Sequence, residues 1–399
     1  MNIAAFYFPN FHRTPLNDAW YGEGWTEWQL VKSARPRYDG HYQPLIPEWG
    51  YFDESDPAWA AREIDLAADH GVNVFIHDWY WYSGVQMLQE QLEHGFLHAH
   101  NRKRMKFALM WANHTWSDLF PVKPRTDNTG ANVWLPIRHT TDDLKRVAEY
   151  CVEYYFREPN YWTIDGHLYF AFFSYHALAH DLGGAKGVAE GLGIISDVVR
   201  KAGLPPIHFA VNIANVDVGT LAWDPSLIGE AKRAGFHSVF GYNIARPQNF
   251  RDVPIDWPLV EYTDVIESHE YLWNECDGRE LPFVPVVTVG SDASPRWDPS
   301  VRLPLDFRGF PYESIIINNT PEKFHMLCAK AARFIKQRKR KPIVFVNAWN
   351  EWTEGNVLLP EKRYGTGYLE AIRDAFHEPT TKEFILTGAA DGQSSRLRR

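Results

Sequence analysis

Eight short runs of near-continuous apolar residues recur along the 399-residue chain, each separated from the next by a stretch of helical spacing or a polar loop. They are Ile3 to Phe8, Val72 to His77, Lys106 to Trp111, Leu168 to Phe173, Ile207 to Val211, Ser238 to Tyr242, Phe283 to Val289 and Ile343 to Val346. Runs that are apolar at every position, rather than at alternate ones, belong to strands buried on both faces, as in a parallel sheet. Helical spacing covers Pro57 to His70, Gln86 to His100, Asp142 to Phe156, Gly187 to Ala202, Pro225 to Ala234, Leu259 to Glu275 and Pro321 to Lys339, with Tyr368 to Phe376 after the last run. Asp56-Pro57 and Thr320-Pro321 each put a capping oxygen before a proline suited to a first helical turn, and Gly71 and Gly203 stand where helices should stop. Strands alternating with helices predict an α/β fold: one (β/α)8 TIM barrel with long loop insertions over residues 1–376, and a frayed tail over 377–399. A doubly wound open sheet is the alternative, since strand order and closure are not written in the pattern.

A barrel gathers its chemistry at the carboxyl ends of its strands. The residues just past the runs are Pro9-Asn10-Phe11-His12, Asp78-Trp79, Asn113-His114, Ser174-Tyr175, Asn212, Tyr242-Asn243, Gly290-Ser291-Asp292 and Asn347 to Glu354. Two connections are long. Trp20 to Asp56, which is aromatic and carries Glu23 and Glu27, is expected to fold over the barrel mouth, and the Pro-rich stretch Leu119 to Thr141 is expected to form a lid.

Composition narrows the partners. The formal charge is −9, from 41 basic and 50 acidic residues, which argues against nucleic acid, whose phosphates need a basic face. Three scattered cysteines, 151, 276 and 328, make neither a disulfide scaffold nor a zinc cage and suit a reducing compartment. His94 and His98 have helical spacing but lack the neighbouring glutamate of a zinc-protease helix, so no metal is expected. The N-terminal residues have no basic start and no long apolar segment, so a cytoplasmic location is expected, with a periplasmic or secreted one open if a leader was removed. No apolar run approaches 18 residues, so no membrane-spanning helix is expected. Aromatic residues make up 15% of the chain. Most must fill the core, but Asp78-Trp79-Tyr80-Trp81-Tyr82 and Trp111-Ala112-Asn113-His114-Thr115-Trp116 mix indoles with polar groups. Sugar rings need that combination, because their C–H faces stack on indole while their hydroxyls need fixed partners.

Glu351 and Glu354 carry the sharpest chemistry. Glycosidic cleavage proceeds through a cationic transition state and needs a proton donor for the leaving oxygen and a carboxylate on the sugar side. Two glutamates three residues apart on a tight turn or first helical turn can face one cavity, where their like charges would separate acid from base; the alternative is a helix-capping Glu354 and a solvated Glu351. Asp78 is expected to bind hydroxyls or orient a glutamate, and Asp292 and Arg296 are placed as substrate contacts at the seventh strand end. Tyr7, His12, Glu27, Trp28 and Tyr42 are candidates for the rim and floor. Trp79, Trp111, Asn113, His114, Asn212, Tyr242, Trp349 and Asn350 complete the expected set.

Asn350-Glu351-Trp352-Thr353-Glu354-Gly355 resembles the Asn-Glu-Trp-x-Glu-Gly signature of the endo-α-mannosidase group, glycoside hydrolase family 99. More of the chain resembles the related WbsX-like proteins, named from lipopolysaccharide and O-antigen gene clusters. The shared pieces run in order from residue 4 to about 376: Tyr7 to His12, Gly24 to Trp28, Gly40 to Pro44, Trp111 to Asn113, Asp292 to Arg296, Asn318 to Pro321, and Asn347 to Gly355 with Tyr364. The resemblance implies a retaining glycosidase without metal or organic cofactor, acting on an oligosaccharide or polysaccharide. It implies that Glu351 takes the proton of the substrate's own 2-hydroxyl, which forms a 1,2-anhydro sugar, and that Glu354 protonates the leaving oxygen and then activates water. α-D-Mannosides and α-L-rhamnosides both have the required geometry. One departure is His114, where relatives carry glutamate after Trp-Ala-Asn. A glycosyltransferase and a non-catalytic glycan-binding barrel are the competing readings, and oligomeric state is not legible.

Overall fold

The computed structural model describes residues 1–117, 133–215, 222–244, 258–303 and 310–377. Among them, nine parallel strand segments make one barrel: β1 (Asn2–Tyr7), β2 (Val74–Tyr82), β3 (Lys106–Trp111), β4 (His167–Phe172), β5 (Ile207–Asn212), β6 (Ser238–Phe240), β7 (Phe283–Val284), β8 (Val286–Thr288) and β9 (Ile343–Asn347). The sheet order is β7-β6-β5-β4-β3-β2-β1-β9-β8. Its two ends are neighbours in the chain, because β7 and β8 are halves of the seventh apolar run, divided at Pro285. Proline has no amide hydrogen to give a ladder, but its carbonyl accepts from Phe345 N at 2.9 Å. One half pairs with β6 (Val239↔Phe283) and the other with β9 (Val287↔Val346), which closes the sheet on itself and excludes the open doubly wound alternative.

Strand side chains alternate in direction. Phe6 of β1 points into the barrel, where its ring centroid lies 5.8 Å from Phe240 of β6 and 5.5 Å from Phe345 of β9. Each such ring stabilises the fold by about 2–3 kcal/mol through burial, and the layer fills the barrel as a core. The next residue, Tyr7, points outward to Phe75 and His77 of β2.

The helices are α1 (Pro15–Tyr21), α2 (Trp28–Ser33), α3 (Pro57–Asp69), α4 (Thr141–Tyr154), α5 (Tyr175–Leu182), α6 (Ala185–Lys201), α7 (Leu227–Arg233), α8 (Tyr262–Cys276), α9 (Pro321–Gln337) and α10 (Gly367–His377). As expected, Asp56 caps α3 by accepting from Ala58 N at 2.8 Å, and Thr320 caps α9 by accepting from Lys323 N. Among the described residues no helix is long and apolar enough to cross a membrane.

The expected helix over Gln86 to His100 does not form. β2 runs on to Tyr82, and Ser83 and Gly84, both at positive φ, turn the chain back into a short strand, Val85–Met87. A π turn over Gln91–Gly95 and a 3-10 turn over Phe96–His98 follow. A Cβ on Gly95 would lie 2.5 Å from the Glu54 carbonyl oxygen, so the chain crosses another backbone there rather than coiling freely. Leu259–Glu261, expected as the start of a helix, instead pairs with Ile315–Ile317. The connection from Trp20 to Asp56 packs against the end of the barrel as expected: Trp28 stands 4.4 Å from Phe11 and 5.6 Å from Trp352, ring to ring. The expected lid falls largely on residues 118–132, and the tail on 378–399, which lie outside the described residues.

Candidate active site

Beyond β9 the chain passes a cis peptide bond between Asn347 and Ala348 and enters a small hairpin, Asn350–Glu351 paired with Asn356–Val357. A 3-10 turn, Trp352–Glu354, links its arms and ends in Gly355 at φ +63°. A Cβ on Gly355 would meet Asp292 Cβ at 2.8 Å, and one on Gly290 would meet the Gly355 carbonyl oxygen at 2.5 Å. Two glycines therefore let the hairpin seat directly against the segment after β8. Asn350 locks it to the end of β1, accepting from Phe8 N at 2.8 Å and donating to Phe8 O at 2.7 Å. The two glutamates are thus carried on a turn braced from both sides.

Arg296 sets their direction. Its Nη2 lies 2.9 Å from Glu27 Oε1, 3.4 Å from Glu354 Oε1 and 3.7 Å from Glu351 Oε2. One nitrogen in reach of both hairpin carboxylates means that they face a common space. Arg296 Nε donates to Thr353 Oγ1 at 2.9 Å, the Thr353 hydroxyl donates to Glu27, and Asn10 donates to Glu27 Oε2 at 2.5 Å. Burial works against the guanidinium charge, but Glu27, Glu354 and Glu351 together hold its pKa above the ordinary arginine value.

The opposite wall is Asp78, on β2, and Tyr242, just past β6. The Tyr242 hydroxyl lies 3.0 Å from Asp78 Oδ2 and 3.0 Å from Glu351 Oε1. A phenol has one proton, so it donates to one acid and accepts from the other, which must itself be protonated. The electrostatics agree. Burial raises the pKa of Asp78, Glu351 and Glu354, and the negative charge of Glu354 adds to the effect on Glu351 and Asp78. Asp78, Glu351 and Glu354 beside one guanidinium crowd negative charge into a low-dielectric site, which favours their protonated forms, the protons being shared among coupled groups rather than owned by one. Asp78 Oδ1 and Glu351 Oε2 have no hydrogen-bond partner among the described residues. The Glu354 side chain is 19% exposed and that of Glu351 6%.

Of the residues singled out from the sequence, Glu27, Asp78, Tyr242, Arg296, Glu351 and Glu354 come together here, with His114 nearby against Tyr80 at a 6.1 Å ring separation. Strand parity separates the others. Tyr7, one residue past inward Phe6, gives its hydroxyl to Glu63 of α3 at 2.9 Å. Trp79 and Trp81 flank inward Asp78 and Tyr80, so they turn outward, where Trp79 Nε1 donates to Tyr155 and Trp81 Nε1 to Asp143 of α4. Trp111 likewise packs on Trp79, His139 and Phe172 instead of lining a sugar platform. Trp349 reaches back to Glu63, and His12 is buried between Glu54 and Glu90. Asn113 clasps the Ser174 backbone, Asn212 bonds Phe173 O, and Trp28 donates to Phe52 O. Asn350 is a brace for the hairpin. Tyr80 and Thr353 belong to the cluster and were not singled out. The signal for Tyr80 was its place two residues from Asp78, on the same face of β2.

Tyr42 and Asp292 lie elsewhere, on a cavity of about 290 Å³ behind the hairpin whose wall includes Gly355, Glu361, Arg363 and Tyr364. Asp292 accepts from His41 at 2.7 Å and Gln43 at 2.6 Å, and its N–H donates to the Glu354 carbonyl at 2.5 Å. Glu351 and Glu354 are not part of that wall. Among the described residues, no group of three His, Cys, Asp or Glu side chains is placed to hold a metal ion.

The fold is that of TIM-barrel glycoside hydrolases. The GH99 endo-α-mannosidase from Bacteroides thetaiotaomicron superposes with a TM-score of 0.53 at 15% identity, over 94% of this chain and 96% of that one. A protein described as glycoside hydrolase-like superposes with a TM-score of 0.56 at 14% identity, over 94% and 93%. In sequence, the uncharacterized protein WxcX of Xanthomonas campestris pv. campestris is 27% identical over 379 residues, which is 94% of this chain. The chain spans about half the length of the WxcX proteins it matches, 49%. The model of the family described as glycosyltransferase WbsX matches residues 3–372, and the chain belongs to that family.

Proposed function

We propose that this chain is a retaining glycoside hydrolase that cleaves an α-linked manno-configured sugar, D-mannoside or L-rhamnoside, with Glu351 and Glu354 as its catalytic pair. The observation that carries the reading is the shared guanidinium nitrogen, within 3.7 Å of both carboxylates. Glu351 lies deeper, and its Oε2, 3.7 Å from Arg296 Nη2, accepts no hydrogen bond among the described residues, which suits the sugar side. Arg296 favours its ionised form, against burial and the negative charge of Glu354, which raise its pKa. Glu354 is more open, which suits a group that meets first a leaving oxygen and then water.

The steps balance. Glu351 takes the proton of the 2-hydroxyl as O2 bonds to C1, the C1–oxygen bond breaks, and Glu354 gives its proton to the departing oxygen. Water then bonds to C1 and yields a proton to Glu354, while O2 leaves C1 and recovers its proton from Glu351. Two inversions give net retention, with the substrate's own oxygen replacing the usual carboxylate nucleophile. Asp78 Oδ1, which no described protein group engages, is a further hydroxyl contact.

The family's description as a glycosyltransferase favours a second reading, in which the same cluster transfers a sugar from a nucleotide donor. Incubation with aryl α-mannoside, aryl α-rhamnoside and GDP- or dTDP-sugars separates the two. Aryl glycoside hydrolysis that is lost in Glu354→Gln supports the hydrolase; turnover of nucleotide sugars alone overturns it.

A further inference from the structure

The cavity behind the hairpin gathers segments that the active site leaves unused. Tyr42 of Gly40 to Pro44, Asp292, Asn318 to Thr320 and Tyr364 come from four distant stretches and meet on its wall. Its volume, about 290 Å³, lies at the small end of ligand pockets, room for one sugar unit rather than a chain.

The charges in its wall are unevenly satisfied. Asp292 is engaged by His41, Gln43 and the Ser294 N–H. Glu361 accepts from the Tyr42 hydroxyl at 2.5 Å and from the Arg363 and Tyr364 N–H groups at 2.7 and 2.6 Å. The Arg363 guanidinium carbon lies over the Tyr42 ring, 3.4 Å from its centre, and among the described residues no carboxylate comes within ion-pair distance. A guanidinium over a ring keeps N–H groups to donate, and their fork suits a carboxylate. Among the described residues the hydroxyls of Tyr38, Ser291 and Tyr364 hold no hydrogen bond, and they stand in the same wall.

We propose that this cavity is a second carbohydrate site, taking one sugar unit that bears a carboxylate: the anion sits on the edge of Arg363 and the ring hydroxyls meet Tyr38, Ser291 and Tyr364. The inference rests on the hydrolase reading only in taking glycan as the ligand, and it assigns an acidic unit to the polymer being processed. Because Gly355 and Asp292 stand in the wall, an occupied cavity presses on the back of the turn that carries Glu354.

The test is titration of D-glucuronate and D-glucose, followed by ligand-observed NMR, against wild type, Arg363→Ala, Arg363→Lys and a Glu351→Gln/Glu354→Gln double variant. Glucuronate should bind wild type and the double variant alike, and Arg363→Ala should weaken it at least about tenfold, the scale of a charge-assisted pair. Arg363→Lys should fall between, and glucose should bind at least about tenfold more weakly than glucuronate. Arg363 is exposed, so the variants should fold, and an unchanged melting curve checks this. No glucuronate binding to wild type, equal binding of the two sugars, unchanged binding in Arg363→Ala, or binding lost only in the double variant each overturns the proposal. A failure of the hydrolase reading would appear in the aryl glycoside assay and not here.

Discussion

Two clusters of buried acids stand back to back across the end of β1, and they are built differently. Behind the barrel wall, Glu54 and Glu63 have every oxygen engaged. Glu54 accepts from Phe11 N at 2.6 Å, His12 at 3.0 Å and Asn350 at 3.3 Å; Glu63 accepts from Tyr7 at 2.9 Å and Trp349 at 3.0 Å. In front of it, Asp78 and Glu351 each keep one oxygen without a hydrogen bond. Burial raises carboxyl pKa values in both places, Glu63 to about 8. A raised pKa therefore does not by itself mark chemistry. Unsatisfied oxygens aimed into a shared space do, because a scaffold closes its hydrogen bonds and a reacting site leaves them for its substrate.

The largest difference between the clusters should appear in turnover. Glu351→Gln and Glu354→Gln are each expected to lower kcat at least about a hundredfold, the scale of acid–base catalysis, while circular dichroism shows an intact fold. Glu63→Gln, in the closed cluster, should keep its activity. Equal losses in all three variants would erase the distinction between the two clusters.

Next in size is Arg296, on which the front cluster depends. Removing one partner of a buried ion pair leaves uncompensated charge, so Arg296→Met should cost about 3–5 kcal/mol in denaturant unfolding. Glu27→Gln/Arg296→Met should recover part of that loss, because the stranded charge goes with its partner. Tyr242→Phe removes the hydroxyl between Asp78 and Glu351 and should lower kcat about tenfold or more, below the effect of either glutamate, since it acts through them. Steady-state kinetics on aryl glycosides reads both variants.

The smallest effects are in pH dependence, and they carry opposite signs. Glu63 binds its proton more tightly when folded, so its contribution to stability is full below about pH 4.5 and is lost as pH rises through about 8. In Glu63→Gln the melting midpoint should decline less between pH 5 and 8 than in wild type. His77 and His269 are buried neutral, pushed down to about 3 and about 4. They bind protons only on unfolding, so their contribution is lost as pH falls below about 6.5. His269→Gln should therefore flatten the acid limb and leave the alkaline one unchanged.

Much of the molecule was legible in the chain. The apolar runs marked the barrel strands, down to the seventh, which Pro285 splits without displacing. Glu351, Glu354, Asp78 and Arg296 were found because a barrel exposes the residues just past its strands, and Glu27 because a long aromatic insertion had to fold somewhere near. Parity was the part that could not be read. Whether a residue at a strand end looks into the barrel or out of it depends on where pleating ends, and a shift of one residue reverses it. Trp79 and Trp111 accordingly turned to the helices, while Tyr80 turned to the acids. Asp292 follows a barrel strand, as expected, and Tyr42 lies on the long connection expected at the rim, but the hairpin stands between them and the glutamates, an arrangement set by the close approach of Gly290 and Gly355.

The most direct measurement is proton NMR of the sugar first released from an aryl α-mannoside or α-rhamnoside, recorded before mutarotation. The α-anomer is the predicted product, because two displacements at C1 restore its configuration. Initial release of the β-anomer would mean a single displacement by water and would contradict the roles assigned to Glu351 and Glu354.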